Sequence, residues 1–211
     1  MTGVRLKFCG LSRPEEIDAA NEARPDYVGF VFAESRRRVT KETAARLRRR
    51  LNAGIIPVGV FTRRPVSEIV CLAESGAMEA VQLHGDWTDE EITRIRNRTG
   101  RPVIRAFSVR SEKDVVMAQA AAKLDAVDYL LLDGPSPGSG AAFDRRLLTG
   151  RRFSTPFFLA GGITVETLGN ALAVRPFAVD LSGGIETDGL KDRMKMMTIA
   201  QKIRQTTKEK S

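Results

Sequence analysis

Two reactive side chains close short β-favouring runs in this sequence of 211 residues. Cys9 ends the first run, and Asp133 follows the apolar stretch Tyr129-Leu130-Leu131-Leu132. A carboxyl group there must be paired, keep its proton or face a solvated cleft, and a raised pKa would suit it to general acid catalysis. A thiol near positive charge such as Lys7 can act as a thiolate base. The alternatives are a capping or loop role for Asp133 and a small apolar core role for Cys9.

Two glycine pairs follow the seventh and eighth β-favouring runs, in Ala160-Gly161-Gly162-Ile163 and Ser182-Gly183-Gly184-Ile185. Glycine lets backbone N–H groups approach a phosphate, and a helix starting after the second pair would add its positive end. Tight turns also use glycine, but two pairs at these positions favour phosphate binding. The residues predicted to bind a phosphorylated substrate here are Gly161, Gly162, Ser182, Gly183 and Gly184.

Three other polar residues belong to the same group of strand ends. His84, the single histidine, could transfer a proton or orient its neighbours, and no second histidine or acidic cluster accompanies it to predict a metal site. Lys7 shares a strand face with Cys9 and would lie beside the eighth strand. Because an unpaired buried charge is costly, we expect Asp180 to neutralise Lys7.

Eight β-favouring runs alternate with helix-favouring runs and would have to position these residues. The predicted strands are Val4–Cys9, Tyr27–Phe32, Ile56–Phe61, Ala80–Leu83, Val103–Phe107, Tyr129–Leu132, Phe157–Ala160 and Phe177–Leu181. The predicted helices are Pro14–Ala23, Lys41–Asn52, Pro65–Glu74, Thr88–Arg98, Glu112–Lys123, a short one near Phe143–Leu148, Val165–Leu172 and Lys191–Lys202.

Strict alternation of strands and helices predicts an α/β protein with a parallel sheet, closed as a (β/α)8 TIM barrel. We expect a single barrel domain over residues 1–205 and a frayed tail over 206–211. An open doubly wound sheet is the alternative, but Cys9-Gly10-Leu11-Ser12 stands where its glycine fingerprint would be. In a barrel the active site lies at the C-terminal strand ends, so Cys9, His84 and Asp133 should meet there, with Arg105 on the fifth strand.

The composition excludes several other classes of protein. A formal charge of +8 could indicate nucleic-acid binding, but the arginines are scattered and no binding module accompanies them, so no nucleic-acid partner is expected. No run reaches the roughly 20 apolar residues of a membrane span, and no signal peptide is evident, which predicts a cytoplasmic protein without membrane contact. Cys9 and Cys71 lack disulfide or metal spacing and are expected to be free thiols.

Seven segments occur in an order that resembles phosphoribosylanthranilate isomerase of tryptophan biosynthesis, from Val4 to about Ile199. They are Lys7-Phe8-Cys9-Gly10-Leu11-Ser12, Gly29-Phe30-Val31-Phe32, Gln82-Leu83-His84-Gly85, Leu131-Leu132-Asp133, Gly138-Ser139-Gly140 with Phe143-Asp144, Ala160-Gly161-Gly162-Ile163, and Asp180-Leu181-Ser182-Gly183-Gly184-Ile185-Glu186. The Lys-x-Cys-Gly and Gln-Leu-His-Gly elements are the most specific of these.

The resemblance implies an Amadori rearrangement of N-(5-phosphoribosyl)anthranilate to 1-(2-carboxyphenylamino)-1-deoxyribulose 5-phosphate, without metal or organic cofactor. Cys9 matches the family's general base at C2 of the ribose, and Asp133 matches the general acid at the ring oxygen. Arg37 matches the arginine that meets the anthranilate carboxylate. We expect His84 and Asp180 to contact the substrate as well, in a monomer or homodimer that takes a small molecule as its partner.

Three departures from the family pattern concern the phosphate turn and the loop after the sixth strand. The family more often has serine where Gly183 stands, glycine where Pro137 stands, and an aromatic residue where Arg145 stands. The first change removes a hydroxyl at the phosphate. The other two are expected to affect loop closure and substrate affinity more than the reaction.

Two rival functions stay open from the sequence. The related histidine-pathway isomerase performs the same rearrangement on a bulkier substrate with two phosphates, but it would be expected to have an aspartate where Cys9 ends the first strand. The other rival is a non-catalytic basic protein that binds nucleic acid, for which salt-sensitive binding to unrelated duplex DNA would be diagnostic.

Overall fold

Eight parallel strands close into a barrel in the computed structural model, which describes residues 3–134 and 144–208. Each strand pairs with the next, and the last pairs back to the first, where Lys7 is in register with Asp180. The prediction of a (β/α)8 barrel is therefore confirmed, and the open sheet is excluded. The strands are β1 Arg5–Cys9, β2 Tyr27–Val31, β3 Ile56–Phe61, β4 Ala80–Leu83, β5 Val103–Ser108, β6 Tyr129–Asp133, β7 Phe157–Leu159 and β8 Ala178–Leu181.

The α-helices lie between the strands, and their bounds follow the predicted ones to within a few residues at most ends. They are α1 Pro14–Ala23, α2 Lys41–Arg50, α3 Val66–Glu74, α4 Asp89–Thr99, α5 Glu112–Ala121, α6 Leu168–Ala173 and α7 Arg193–Lys208. Side-chain caps set several starts, as where Thr40 Oγ1 accepts a hydrogen bond from the Thr43 backbone N–H at 3.1 Å. Within the described ranges, none of these helices is long and apolar enough to cross a membrane.

The connection from β6 to β7 departs from the regular pattern. A helix was predicted near Phe143–Leu148, but the described part of this connection contains one 3-10 turn, Arg145–Leu148. Asp144 starts the turn by accepting a hydrogen bond from the Arg146 backbone N–H at 3.0 Å.

A small hairpin follows β8 and ends at Lys191, the residue at which the last helix was predicted to begin. After a 3-10 turn at Gly183–Ile185, strand β9 Glu186–Thr187 pairs antiparallel with β10 Leu190–Lys191. The two loop residues, Asp188 and Gly189, both have positive φ (51° and 80°), as a type I′ hairpin turn requires. The prediction of a helix from Lys191 is thus wrong by two residues: Asp192 caps the true start, accepting hydrogen bonds from the backbone N–H groups of Met194 and Lys195.

Two apolar layers hold the barrel together. Outward-facing strand residues such as Phe8, Phe30 and Leu132 pack against the helices in one continuous core. Inward-facing residues such as Tyr27, Leu131 and Phe158 fill the barrel in a second cluster. Because this second cluster closes the barrel interior, polar side chains on the inner face have room only towards the C-terminal strand ends.

Candidate active site

A cavity of about 300 Å³ opens at the C-terminal ends of the strands. The ten residues predicted from the sequence to form the site all line it: Cys9, Arg37, His84, Asp133, Gly161, Gly162, Asp180, Ser182, Gly183 and Gly184. They come from six of the eight strand ends or the loops that follow them. The barrel thus brings together residues that are far apart in sequence.

Lys7 and Asp180 form an ion pair inside the barrel. Lys7 Nζ donates a hydrogen bond to Asp180 Oδ2 at 2.9 Å, and the lysine side chain is wholly buried. Burial alone would lower the pKa of Lys7, but the charge and hydrogen bond of Asp180, together with Cys9, raise it above its ordinary value. The expected pairing is confirmed, and Lys7 is a cation beneath the cavity at neutral pH.

Cys9 ends β1 directly above this pair, with its thiol packed over the backbone of β2. A Cβ on Gly29 would lie 2.7 Å from Cys9 Sγ, so the glycine makes room for the thiol. Burial raises the pKa of Cys9, against the lowering effect of Lys7; Asp180 raises it further and Lys191 lowers it. The thiol is therefore mainly protonated at neutral pH, with two lysines placed to favour the thiolate when it forms.

Asp133 ends β6, three strand positions from β1 around the ring of eight. Burial raises the pKa of its carboxyl group to about 6, although a hydrogen bond from the Gly134 backbone N–H to Oδ1, at 2.7 Å, opposes the shift. This is the range in which a carboxyl group can both hold and release a proton near neutral pH. The strands between Cys9 and Asp133 on the shorter way round are β7 and β8, which carry the glycine pairs.

The two glycine turns are in close backbone contact with each other and with Asp133. A Cβ on Gly184 would lie 1.8 Å from the Ile163 carbonyl oxygen, and one on Gly161 would lie 2.6 Å from the Gly134 backbone nitrogen. Neither position can accept a side chain without moving the backbone. Gly183, by contrast, faces open space, so a side chain could be accommodated there.

Arg145 is hydrogen-bonded to the backbone of the turn at Gly161-Gly162. Its guanidinium donates hydrogen bonds to the carbonyl oxygens of Gly161, at 3.2 Å, and Thr167, at 3.4 Å. Arg145, which stands where the resemblance led us to expect an aromatic residue, therefore places a positive charge beside the turn. Pro137 and the Gly138-Ser139-Gly140 segment lie outside the described residues.

Arg37 reaches the cavity from the loop after β2. Its aliphatic stem crosses the backbone beside Cys9, where a Cβ on Gly10 would lie 2.5 Å from Arg37 Cδ. The guanidinium donates from Nε and Nη2 to the two carboxylate oxygens of Glu186, at 2.7 and 2.9 Å. A planar side-on pair of this kind fixes the orientation of the guanidinium.

His84 contacts the cavity wall through its ring. Burial, with Arg105 and Lys7 nearby, lowers the pKa of His84 to about 4, so the imidazole is neutral at pH 7. Its Nε2 lies 3.4 Å from Ser108 Oγ. A neutral ring that contacts a hydroxyl fits an orienting role more closely than the role of a cationic acid.

Arg105 does not join the site, contrary to the expectation that it would lie with the other strand-end polar residues. It shares the outer face of β5 with Val103 and Phe107, because side chains alternate along a strand. Its guanidinium donates to the Gly85 carbonyl oxygen at 2.7 Å and packs 4.8 Å from the centre of the Phe107 ring.

Lys191 lies directly behind the cavity wall and was not predicted from the sequence to take part in the site. It is buried in β10, and its Nζ donates to Glu186 Oε1 at 2.8 Å, to the Ser182 carbonyl oxygen at 3.0 Å and to Ser182 Oγ at 3.2 Å. Ser182 Oγ in turn donates to the Cys9 carbonyl oxygen at 3.1 Å. The Asp188-Gly189 pair was the available signal, since it is typical of a hairpin turn and marks the segment as non-helical.

Two buried acceptors on the cavity wall have no hydrogen-bond partner among the described residues, Asp180 Oδ1 and Gln82 Oε1. An unsatisfied buried acceptor costs free energy, so a donor on a bound molecule would be favoured there. Within the described ranges, no group of three or more histidine, cysteine, aspartate or glutamate side chains is placed to hold a metal ion.

The chain is similar to known proteins along nearly its whole length. A family model described as N-(5'phosphoribosyl)anthranilate (PRA) isomerase matches residues 6–202. A relative from Caldanaerobacter subterraneus subsp. tengcongensis, named N-(5'-phosphoribosyl)anthranilate isomerase, is 40% identical over 206 residues, covering 95% of this chain and 98% of the relative.

Two solved structures are similar in fold and sequence. One is a phosphoribosyl anthranilate isomerase in complex with reduced 1-(o-carboxyphenylamino)-1-deoxyribulose 5-phosphate, with a TM-score of 0.84 and 32% identity over 96% of this chain and 99% of that one. The other shows monomers of the dimeric isomerase from Thermotoga maritima, with the same TM-score of 0.84, 32% identity and coverages of 96% and 99%.

Proposed function

The chain belongs to the N-(5′-phosphoribosyl)anthranilate isomerase family, and from that premise we propose which of its residues carry the reaction. It is an isomerase of tryptophan biosynthesis that converts N-(5-phosphoribosyl)anthranilate to 1-(2-carboxyphenylamino)-1-deoxyribulose 5-phosphate. The observation that carries the assignment is the placement of one thiol and one carboxyl group three strand positions apart on a single cavity, with the two glycine turns between them.

Asp133 is the proposed general acid. The amine nitrogen of the substrate supplies the electron pair that opens the ribose ring, and the ring oxygen needs a proton as its bond to C1 breaks. A carboxyl group with a pKa of about 6 carries that proton in about a tenth of the molecules at pH 7, compared with roughly one in a thousand for an ordinary aspartate. Burial of the carboxyl is the physical cause, and the Gly161 turn packs beside it: a Cβ on Gly161 would lie 3.2 Å from Asp133 Oδ1.

Cys9 is the proposed general base. After ring opening, its thiolate removes the proton at C2 and leaves an enolamine, which becomes the product when C1 gains a proton and C2 becomes the ketone carbon. The raised pKa of Cys9 makes the thiolate a strong base, because a higher pKa means a greater affinity for the proton. Lys7 and Lys191 are close enough to offset part of the cost of forming it.

Substrate binding is proposed to divide among three parts of the cavity. Backbone N–H groups of the turns at Gly161-Gly162 and Gly183-Gly184 hold the phosphate. Arg37 meets the anthranilate carboxylate, which matches the charge and planarity of its guanidinium. The unpaired acceptor oxygens of Asp180 and Gln82 take hydrogen bonds from ribose hydroxyls, with His84 orienting the wall beside them.

The test is an assay of N-(5-phosphoribosyl)anthranilate turnover, in which the loss of substrate fluorescence measures the rate. Cys9→Ala and Asp133→Asn should each lower kcat by about 10²–10⁴-fold with KM changed only a few-fold, since proton transfer contributes that much. Cys71→Ala, which removes the exposed thiol on α3, is the control and should match the wild type. A fully active Cys9→Ala enzyme would refute the assigned base.

The partner and the compartment are also proposed. The chain takes a small molecule, not nucleic acid, and works in the cytoplasm as a monomer or homodimer; the dimeric relative and the two free thiols support this. Light scattering would measure the oligomeric state, and salt-sensitive binding to unrelated duplex DNA would contradict the first part. Exclusive turnover of the two-phosphate substrate of the histidine pathway would replace the assigned substrate.

A further inference from the structure

The hairpin after β8 holds the arginine that faces the substrate. Glu186, on β9, receives the side-on hydrogen bonds of Arg37 with its two carboxylate oxygens, and Arg36 donates to the same carboxylate. The Glu186 side chain is 6% exposed and that of Arg37 is 13% exposed. Such burial makes the pair directional, because solvent does not compete for its hydrogen bonds.

Glu186 is itself held by Lys191, and the geometry of the hairpin places these two residues side by side. The positive-φ pair Asp188 and Gly189 closes a two-residue hairpin, whose register places Lys191 opposite Glu186. The lysine ammonium uses all three of its donors within this structure, on Glu186 Oε1 and on the carbonyl and hydroxyl oxygens of Ser182. Although burial would raise the pKa of Glu186, the hydrogen bonds and charges of Arg37 and Lys191 lower it to about 2, so the carboxylate stays ionised.

The pairing leaves one edge of the arginine free. Five N–H groups extend from a guanidinium, and Glu186 accepts from Nε and from one side of Nη2. No described residue accepts from Nη1, and Arg37 lines the cavity. A carboxylate entering the cavity would therefore meet the edge formed by Nη1 and the outer side of Nη2, which presents two parallel donors.

We infer that Glu186, held across the hairpin by Lys191, is a positioning residue that turns the Nη1–Nη2 edge of Arg37 towards the carboxylate of the substrate. The inference rests on the proposed role of Arg37. Glu186 does not touch the substrate: it acts by restricting the guanidinium to one orientation before binding. Pre-organisation of this kind raises affinity by removing the entropic cost of ordering the side chain.

The experiment compares two substrates that differ only in the group recognised. They are N-(5-phosphoribosyl)anthranilate and N-(5-phosphoribosyl)aniline, which lacks the carboxylate. Glu186→Gln should raise KM for the anthranilate substrate at least tenfold with kcat within about threefold, and should leave KM for the aniline substrate unchanged. Turnover of the aniline substrate also shows that the variant is folded.

A second variant separates orientation from charge. Glu186→Asp keeps the negative charge but withdraws the carboxylate by one methylene, so it should also raise KM for the anthranilate substrate selectively. If Glu186 only balances charge, Glu186→Asp should behave as wild type and Glu186→Gln should bind the anionic substrate more tightly. The matched control is Glu22→Gln, because Glu22 makes the same side-on pair, at 2.7 Å, with Arg193, which unlike Arg37 does not line the cavity.

Arg37→Met distinguishes the failure of this inference from the failure of the proposed function. If Arg37→Met impairs both substrates equally, the proposed contact between Arg37 and the carboxylate is wrong. If Arg37→Met is selective for the anthranilate substrate but the Glu186 variants are not, only the positioning role of Glu186 is overturned. If both are selective, the double variant should be no worse than Arg37→Met alone, because the two residues act through one contact.

Discussion

Lys7 Nζ lies 2.9 Å from Asp180 Oδ2 inside the barrel, where β1 meets β8 and where the lysine side chain has no contact with solvent. The two residues are in register across the strands that close the ring. This pair sets the charge beneath both proposed catalytic groups: Lys7 lowers the pKa values of Cys9 and Asp133, and Asp180 raises them.

Breaking the pair should destabilise the fold. Asp180→Asn removes the partner of a buried ammonium and is expected to lower the free energy of unfolding by about 3–5 kcal/mol, measured by urea denaturation. The double variant Lys7→Met/Asp180→Asn should recover much of this loss, because no uncompensated charge is left. Equal stability of the single and double variants would show that the pair is not coupled.

The buried carboxyl group of Asp133 should lower the free energy of unfolding at neutral pH. The folded-state pKa of Asp133 is raised from 3.8 to about 6, so ionisation favours the unfolded state: the loss of stability is absent below about pH 4, grows between pH 4 and 6 and is complete above pH 6. Asp133→Asn, which cannot ionise, should therefore be more stable than the wild type at pH 8, by about 3 kcal/mol from a shift of roughly two pH units, even though its kcat is lowered. At pH 3.5 the two proteins should unfold at similar urea concentrations, and a constant difference across the pH range would contradict this origin.

The raised pKa of Cys9 should appear in its alkylation by iodoacetamide. In a Cys71→Ala background, which leaves one thiol, the rate should still be climbing above pH 9, since thiolate is the reactive form. Lys191→Met should shift the profile further towards high pH, because Lys191 lowers the pKa of Cys9. A rate that levels near pH 8 would show that the thiol is more easily ionised than its burial implies.

Two adjacent glycines offer a matched test of the phosphate turn. Gly184→Ala should raise KM at least tenfold, because a Cβ there would lie 1.8 Å from the Ile163 carbonyl oxygen and force the two turns apart. Gly183→Ala keeps the same backbone N–H groups and faces open space, so its KM should be close to that of the wild type. Equal effects of the two variants would argue against backbone contact with the phosphate.

The strand pattern could be predicted because burial on both faces gives each strand a short apolar run with helix signals on either side. Ile56–Phe61 and Ala80–Leu83 occur as expected, and each of the other six strands differs from its predicted bounds by one residue at one end. The residues at the strand ends could be predicted for the same reason, since parallel strands in a barrel all end on one face. That is why Cys9, Asp133 and Asp180 meet on one cavity.

The outward direction of Arg105 and the site role of Lys191 were not predicted, for different physical reasons. Arg105 follows the strict alternation of β5, so correct phasing of that strand would have placed it outside the barrel. Lys191 depends on a hairpin of two residues per strand, too short to give a periodic signal, and its neighbours resemble the first turn of the helix that follows. In such a segment only the Asp188-Gly189 turn carries information.

The seam between β1 and β8 also affects how the protein is made. Ser182 and Cys9 are hydrogen-bonded across a separation of 173 residues in the chain. During synthesis the ribosome must release nearly the whole polypeptide before the thiol acquires its neighbours. Catalysis is therefore a property of the completed ring, and a nascent chain that has folded only its first few βα units has no isomerase site.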